Sequence, residues 1–232
     1  MYNKRNVMLN TAKMFQGMLF VLGVACIVFG AVGTCQGQNV RLAAEALSLI
    51  PTIKVKVKGT IMLDPGHGGS DPGAISCLGY YEKDLTLKVA NRLASELKSA
   101  GWKVIMTRDT DIFVSLDSRV VMANKENPNL FISIHGDSFT EPEPSGCTIF
   151  TSKVASDKSA TTAMLLSHAM PVKTNRGVKQ YNYRVLYKTK CPAVLIEMGF
   201  LSNTDDAMRM KSSAWQKQLA RKITQALEVS GI

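Results

Sequence analysis

Thr60-Ile61-Met62-Leu63-Asp64-Pro65-Gly66-His67-Gly68-Gly69 is the stretch on which the reading of this 232-residue chain turns. Its first four residues are a short apolar run, bounded by a Pro-Gly turn, and read as a buried strand. A histidine then stands among three glycines, where the backbone can turn tightly and present an imidazole to the open. A lone histidine after a strand is more often a structural or surface residue. Here two other strand-like runs end the same way: Leu130-Phe131-Ile132-Ser133-Ile134 stops at His135, and Ala193-Val194-Leu195-Ile196 stops at Glu197.

Strand and helix patterns alternate outward from this stretch. Apolar residues at helical spacing cover Leu85 to Leu97, with Gly101 as a stop signal. Trp102–Thr107 reads as a strand, Leu116–Ala123 as a helix, Leu130–Ile134 and Cys147–Phe150 as strands, and Ser159–Met170 as a helix. Tyr183–Tyr187 and Ala193–Ile196 read as further strands, and Ser213–Val229 as a closing amphipathic helix. This alternation predicts a single-domain α/β three-layer sandwich, a mostly parallel central sheet with helices on both faces. Ligand sites in such sheets lie beyond the carboxyl ends of the strands. His67, His135 and Glu197 all stand at or just after such ends.

The chain before this domain differs in composition. Lys4, Arg5 and Lys13 precede a nearly unbroken apolar run from Met18 to Gly33, and no further charge occurs until Arg41. Residues 1–38 are expected to be a signal peptide or an N-terminal membrane anchor. Residues 39–58 are expected to form a linker, with a short helix near Ala43–Leu49 and an alternating stretch Ile53–Lys58, and 59–232 the folded domain that carries the candidate residues. A lipid-anchor reading at Cys35 is weaker, because Thr34 precedes it where a small residue is usual.

The formal charge is +10. That favours attraction to an anionic polymer, or serves plain solubility. No nucleic-acid motif is present, so no nucleic-acid partner is expected. Membrane contact is expected only through the N-terminal segment, if it is uncleaved, and the chain is expected to act as a monomer. Cys77, Cys147 and Cys191 lack any Cys-x-x-Cys spacing, which argues against a cysteine metal site. One disulfide with a free thiol, or three partly buried thiols, both fit that count.

Each candidate has a bland alternative. Glu82, at the start of Glu82-Lys83-Asp84-Leu85, could simply complement a helix dipole. His135 lies deep in an apolar run, where it is either hydrogen-bonded or a ligand. Glu197 follows four apolar residues; a buried carboxylate there needs a metal, a cation or a proton, and a salt bridge would also serve. His168, the third of three histidines, lies within a helix and reads as non-catalytic. Taken together, two imidazoles and a carboxylate make an open zinc site, and a second carboxylate can act as its general base.

In order along the chain, Leu63-Asp64-Pro65-Gly66-His67-Gly68-Gly69 with Asp71-Pro72-Gly73-Ala74, Glu82-Lys83-Asp84-Leu85, Thr107-Arg108-Asp109-Thr110-Asp111, Ser115-Leu116 with Arg119, Ser133-Ile134-His135, Asn175-Arg176-Gly177-Val178-Lys179 and Pro192 to Phe200 resemble the zinc-dependent N-acetylmuramoyl-L-alanine amidases of the type 3 family. The resemblance runs from about residue 59 to 229. It implies one zinc ion per chain held by His67, Glu82 and His135, with Glu197 as the catalytic glutamate. It implies hydrolysis of the amide between N-acetylmuramic acid and L-alanine in bacterial peptidoglycan, in the periplasm, cell envelope or extracellular space. Gly136-Asp137 and Cys191 depart from the family's usual residues. Some members carry an inserted helix between the third ligand and the glutamate that plugs the site; none is expected here. Arg176 or Lys179 are candidates to bind stem-peptide carboxylates. Two rivals stay open: a zinc peptidase cutting within the stem peptide, and a catalytically silent wall-binding or activator module.

Overall fold

The structure, a computed structural model, describes residues 57–232. The expected signal or anchor segment lies outside the described residues, as does all of the expected linker but its last two residues. No helix among the described residues is long and apolar enough to cross a membrane.

The domain begins with β1 (Thr60–Pro65), α1 (Glu82–Ser99), β2 (Lys103–Met106), α2 (Leu116–Glu126) and β3 (Leu130–Asp137). It continues with β4 (Cys147–Thr151), α3 (Asp157–Ala169), β5 (Asn175–Gln180), α4 (Arg184–Tyr187) and β6 (Ala193–Phe200). Two helices close it, α5 (Thr204–Lys211) and α6 (Ser213–Glu228). The six strands form one sheet in the order β2-β1-β3-β6-β4-β5. All pairings are parallel except β4 with β6, which is antiparallel.

Helices cover both faces, as the alternation predicts. On one face α1, α3 and α6 pack Leu93, Leu166 and Leu219 onto Ile61, Ile132, Ile134 and Ile196. On the other, α2 and α4 pack Ala123, Val185 and Leu186 onto Met62, Phe131 and Leu195. The central strands are buried on both faces, which is why they read as continuous apolar runs rather than alternating ones.

Three elements differ from the sequence reading. Tyr183–Tyr187 is not a strand: Tyr183 accepts backbone bonds from Leu186 and Tyr187, and the chain turns into α4. The adjacent Val185 and Leu186 are both buried, which a half-exposed strand does not allow. The strand lies earlier, at β5, whose residues are mostly exposed because it forms the sheet edge. Helix α5 carries no strong apolar pattern; Asn203 caps it by accepting from Asp206 N, and only Ala207 and Met210 supply buried apolar side chains. Cys77, Cys147 and Cys191 are all unpaired thiols.

Candidate metal centre and its carboxylates

β1 and β3 run side by side, with Pro65 opposite Ile134, so the loop leaving β1 lies against the end of β3. Gly66 N donates to Ile134 O at 3.0 Å. A Cβ on Gly66 would stand 2.2 Å from His135 Cε1, so only glycine lets the two histidines approach. His67 itself adopts a left-handed conformation, φ 60°. Such a conformation costs a non-glycine residue energy and persists only where surrounding bonds impose it.

Those bonds come from two buried arginines. Arg119 donates to Pro65 O at 2.7 Å, to His67 O at 2.7 Å and to the Asp64 carboxylate. Arg108 donates to Pro65 O, Gly66 O and Lys83 O. Asp64 is itself buried and also accepts from Thr107 Oγ1 at 2.7 Å and Ser133 Oγ at 2.8 Å. The loop is thus held through its carbonyls, leaving the imidazole free to be aimed.

Asp71 aims it. His67 Nδ1 lies 2.9 Å from Asp71 Oδ2, and His67 Nε2 lies 3.1 Å from Glu82 Oε1. Glu82 Oε1 also stands 2.9 Å from His135 Nδ1 and accepts from Gly136 N at 3.1 Å. Its other oxygen accepts from Ala74 N at 3.0 Å. One donor atom from each of His67, Glu82 and His135 falls within 4.8 Å of the others. Three residues separated by 68 positions of sequence are brought together by the crossover of α1, whose first residue is Glu82, between two neighbouring strands.

The two glutamates meet opposite surroundings. Burial alone would raise the Glu82 carboxyl, but the hydrogen bonds from His135 and His67 and their charges hold it far below the usual carboxylate range. Burial alone would lower His67; the bonds and charges of Glu82 and Asp71 override it and raise the imidazole. Glu197, in mid-strand on β6, is opposite His135 in the β3–β6 ladder. It is 8% exposed, and its Oε2 has no hydrogen-bond partner among the described residues. Burial, with the Glu82 and Asp137 charges added, pushes its carboxyl well above the ordinary range. No Lys or Arg forms a salt bridge with Glu197 among the described residues.

A cavity of about 240 Å³ opens beside the two histidines, lined also by Phe113, Leu116, Arg119 and Val185. Both imidazoles reach it. His168 lies elsewhere, exposed on α3 with its Nδ1 against Met164 O. Arg176 and Lys179 stand on the exposed edge strand β5; both act on the Asp137 carboxyl, whose burial raises it and whose nearby cations lower it. Sequence reasoning did not find the role of Asp71, although its spacing of four from His67 was visible. Nor did it find Asp206 on α5. Its Oδ2 accepts from Gly146 N at 2.6 Å and from Phe200 N at 2.9 Å, tying the start of β4 to the end of β6 just beyond Glu197.

Comparison with known proteins identifies relatives of the whole domain. The family model described as N-acetylmuramoyl-L-alanine amidase matches residues 61–229. A probable cell wall amidase, LytH, of Staphylococcus epidermidis is 42% identical over 205 residues, covering 86% of this chain and 66% of that protein. LytH of Staphylococcus aureus is 38% identical over 172 residues, covering 73% of this chain and 57% of its own length. The chain therefore spans about two thirds or less of these curated relatives. Among solved structures, an N-acetylmuramoyl-L-alanine amidase from Clostridium difficile 630 superposes with a TM-score of 0.70 at 31% identity, over 73% of this chain and 94% of that one. The catalytic domain of CwlV from Paenibacillus polymyxa gives a TM-score of 0.68 at 31% identity, over 72% and 95%.

Proposed function

The chain belongs to the N-acetylmuramoyl-L-alanine amidase family, and on that premise we propose that it hydrolyses the amide between N-acetylmuramic acid and L-alanine in peptidoglycan. His67, Glu82 and His135 hold one zinc ion, and Glu197 is the general base and acid. The observation that carries the reading is the pair of buried carboxylates: one gathered with two imidazoles and two backbone N–H groups, the other with an oxygen that has no partner among the described residues.

The donor set fits zinc. Two imidazole nitrogens and a carboxylate oxygen are the ligands of an open catalytic zinc site, which keeps a further position for water or substrate. Bound there, the ion supplies Lewis acidity toward a carbonyl and a water of lowered pKa. Asp71 fixes the His67 tautomer by taking up Nδ1, so that Nε2 faces the centre. Glu197, whose carboxylate makes no side-chain hydrogen bond among the described residues, accepts a proton from the attacking water and holds it until the C–N bond breaks. It then gives the proton to the departing amine of L-alanine. Water's hydroxyl ends on the lactyl carbonyl and both of its protons are accounted for.

Between His135 and Glu197 the chain forms only β4, α3, β5 and α4, and the His67 and His135 side chains keep 24% and 20% of their surfaces exposed. The site therefore works without a partner to uncover it. Residues 1–38 serve export or anchoring and 39–58 link them to the domain, so the enzyme acts in the cell envelope or outside the cell; we propose that it does so as a monomer.

The test is mass analysis of peptidoglycan digested by the full chain with zinc, with chelator, and with Glu197→Ala. Free stem peptides beginning with L-alanine, only with zinc and intact Glu197, are expected. Shortened stems still joined to muramic acid would replace the amidase with a peptidase. No product from folded, zinc-loaded protein would leave a binding or activator role.

A further inference from the structure

On the face of the sheet that carries Glu197, a row of aromatic rings leads away from the centre. Thr148 of β4 is opposite Glu197, and Phe150 is opposite Leu195. Residues directly opposite in a ladder share a face, as do residues two apart on a strand. Phe150 therefore stands on the Glu197 face, and so does Lys179 of β5, its partner in the β4–β5 ladder. Beyond Gln180 the chain leaves the sheet and lays two tyrosines along this row. Tyr183 meets Phe150 edge-on, with ring centroids 5.2 Å apart at 88°. Tyr181 packs on Tyr183 at 4.6 Å and 56°. Both Phe150 and Tyr183 join the same core cluster as Leu195. Two residues past Tyr183, Val185 lines the cavity that His67 and His135 share.

The segment is built, not loose. Tyr181 N donates to Thr151 O and Tyr183 N to Tyr181 O, both at 2.9 Å. Asn182 Oδ1 accepts from Lys153 N at 2.9 Å. Yet Tyr181 is 57% exposed, and neither phenol hydroxyl has a hydrogen-bond partner among the described residues. Burial raises the Tyr183 hydroxyl to about 12, with the charges of Glu197 and Asp137 adding to it, so this ring sits within the field of the site.

We propose that Tyr181 and Tyr183 form a saccharide-binding platform that seats a pyranose ring of the glycan on the acyl side of the scissile amide. The proposal rests on the amidase reading for the identity of the substrate. Aromatic faces carry negative charge density and attract the weakly positive C–H bonds on one side of a sugar ring, while a phenol hydroxyl at the rim can bond a sugar hydroxyl. A stem peptide that begins with alanine offers no such ring face; its carboxylates match Lys179 and Arg176 instead. Rings already fixed before binding lose little freedom when the ligand arrives.

The experiment compares two soluble substrates on the full zinc-loaded chain: a disaccharide-linked stem peptide, and the same stem carrying only the lactyl group. The ratio of their kcat/KM values is expected to fall by about tenfold in Tyr181→Ala, through KM, and to survive in Tyr181→Trp. In parallel, binding of a peptide-free N-acetylmuramic-acid disaccharide to metal-stripped protein is measured by titration. Weaker binding in Tyr181→Ala, restored in Tyr181→Trp, is expected. An unchanged ratio, an equal loss on both substrates, or disaccharide binding indifferent to Tyr181 would overturn the platform. Wild-type protein that cleaves neither amide but binds the disaccharide through Tyr181 would remove the amidase reading and leave the platform standing.

Discussion

The ion pair beneath the His67 loop offers a sharp test of how the site is held. Asp64 and Arg119 are 1% and 3% exposed, and their side chains meet directly. Replacing Arg119 with Met leaves the Asp64 carboxylate with only the Thr107 and Ser133 hydroxyls, and it strips donors from Pro65 O, His67 O and Val114 O. Breaking a buried pair by removing one partner costs about 3–5 kcal/mol. Asp64→Asn leaves Arg119 with its three carbonyl acceptors and falls at the lower end, about 3 kcal/mol. The double variant Asp64→Asn/Arg119→Met leaves neither charge stranded. It should cost less than the sum of the two, with a coupling of about 1–3 kcal/mol. Urea unfolding of chelated protein reads this through Trp102 and Trp215, both buried in the core. Additivity within about 0.5 kcal/mol would refute the reasoning. Function follows separately: only Arg119 touches His67 O, so Arg119→Met should weaken zinc binding more than Asp64→Asn does.

Three other outcomes follow from the same geometry. In chelated protein, the folded state keeps Glu197 protonated above its usual value of 4.5 while the unfolded chain releases that proton. Unfolding then releases a proton and stability falls as pH rises through that window. Glu197→Gln should therefore flatten that fall and raise the melting temperature at neutral pH while abolishing turnover; a steeper decline in the variant would contradict the assignment. Asp71→Ala frees His67 Nδ1 and should weaken zinc binding by roughly 10–100-fold without unfolding the domain; competition with a calibrated chelator measures it, and unchanged affinity would show that Asp71 orients nothing. Asp206→Ala orphans the buried N–H groups of Gly146 and Phe200, at about 1–3 kcal/mol each; thermal unfolding together with kcat on soluble substrate tests whether the loss reaches Glu197, and a full-rate enzyme would confine Asp206 to stability.

What the sequence showed depended on burial. β1, β3 and β6 are covered on both faces, so their apolar runs were unmistakable and a polar residue at the end of each stood out. β5 was missed because Asn175–Gln180 lies at an exposed edge, where nothing selects apolar side chains. The tyrosines that follow alternate as a strand would, yet Val185 and Leu186 bury neighbouring positions in one turn of helix. The antiparallel direction of β4 had no local signal, since it is set by where the chain can return. Glu197 was read as the last residue of its strand; β6 in fact runs on to Phe200, across a register shift after His135. Gly199, at φ 155°, allows Arg209 and Asp206 to press against the strand there. A single glycine in a sequence does not announce such a contact.

The division of labour between Glu82 and Glu197 also has its origin in topology. Both carboxylates are buried, and burial alone would push both upward. Glu82 enters from the first turn of α1, at the one place where two imidazoles and the N–H groups of Ala74 and Gly136 converge on it. Those donors and the imidazole charges favour its ionised form, which suits a cation. Glu197 enters from the sheet itself, where strand neighbours satisfy its backbone and supply nothing to its Oε2. It is left without a partner among the described residues, and burial favours its protonated form. Exchanging the environments would exchange the roles, because two identical side chains whose proton affinities are driven apart become a ligand and a base. The fold does this by delivering one glutamate on a helix and the other on a strand to the same end of the sheet.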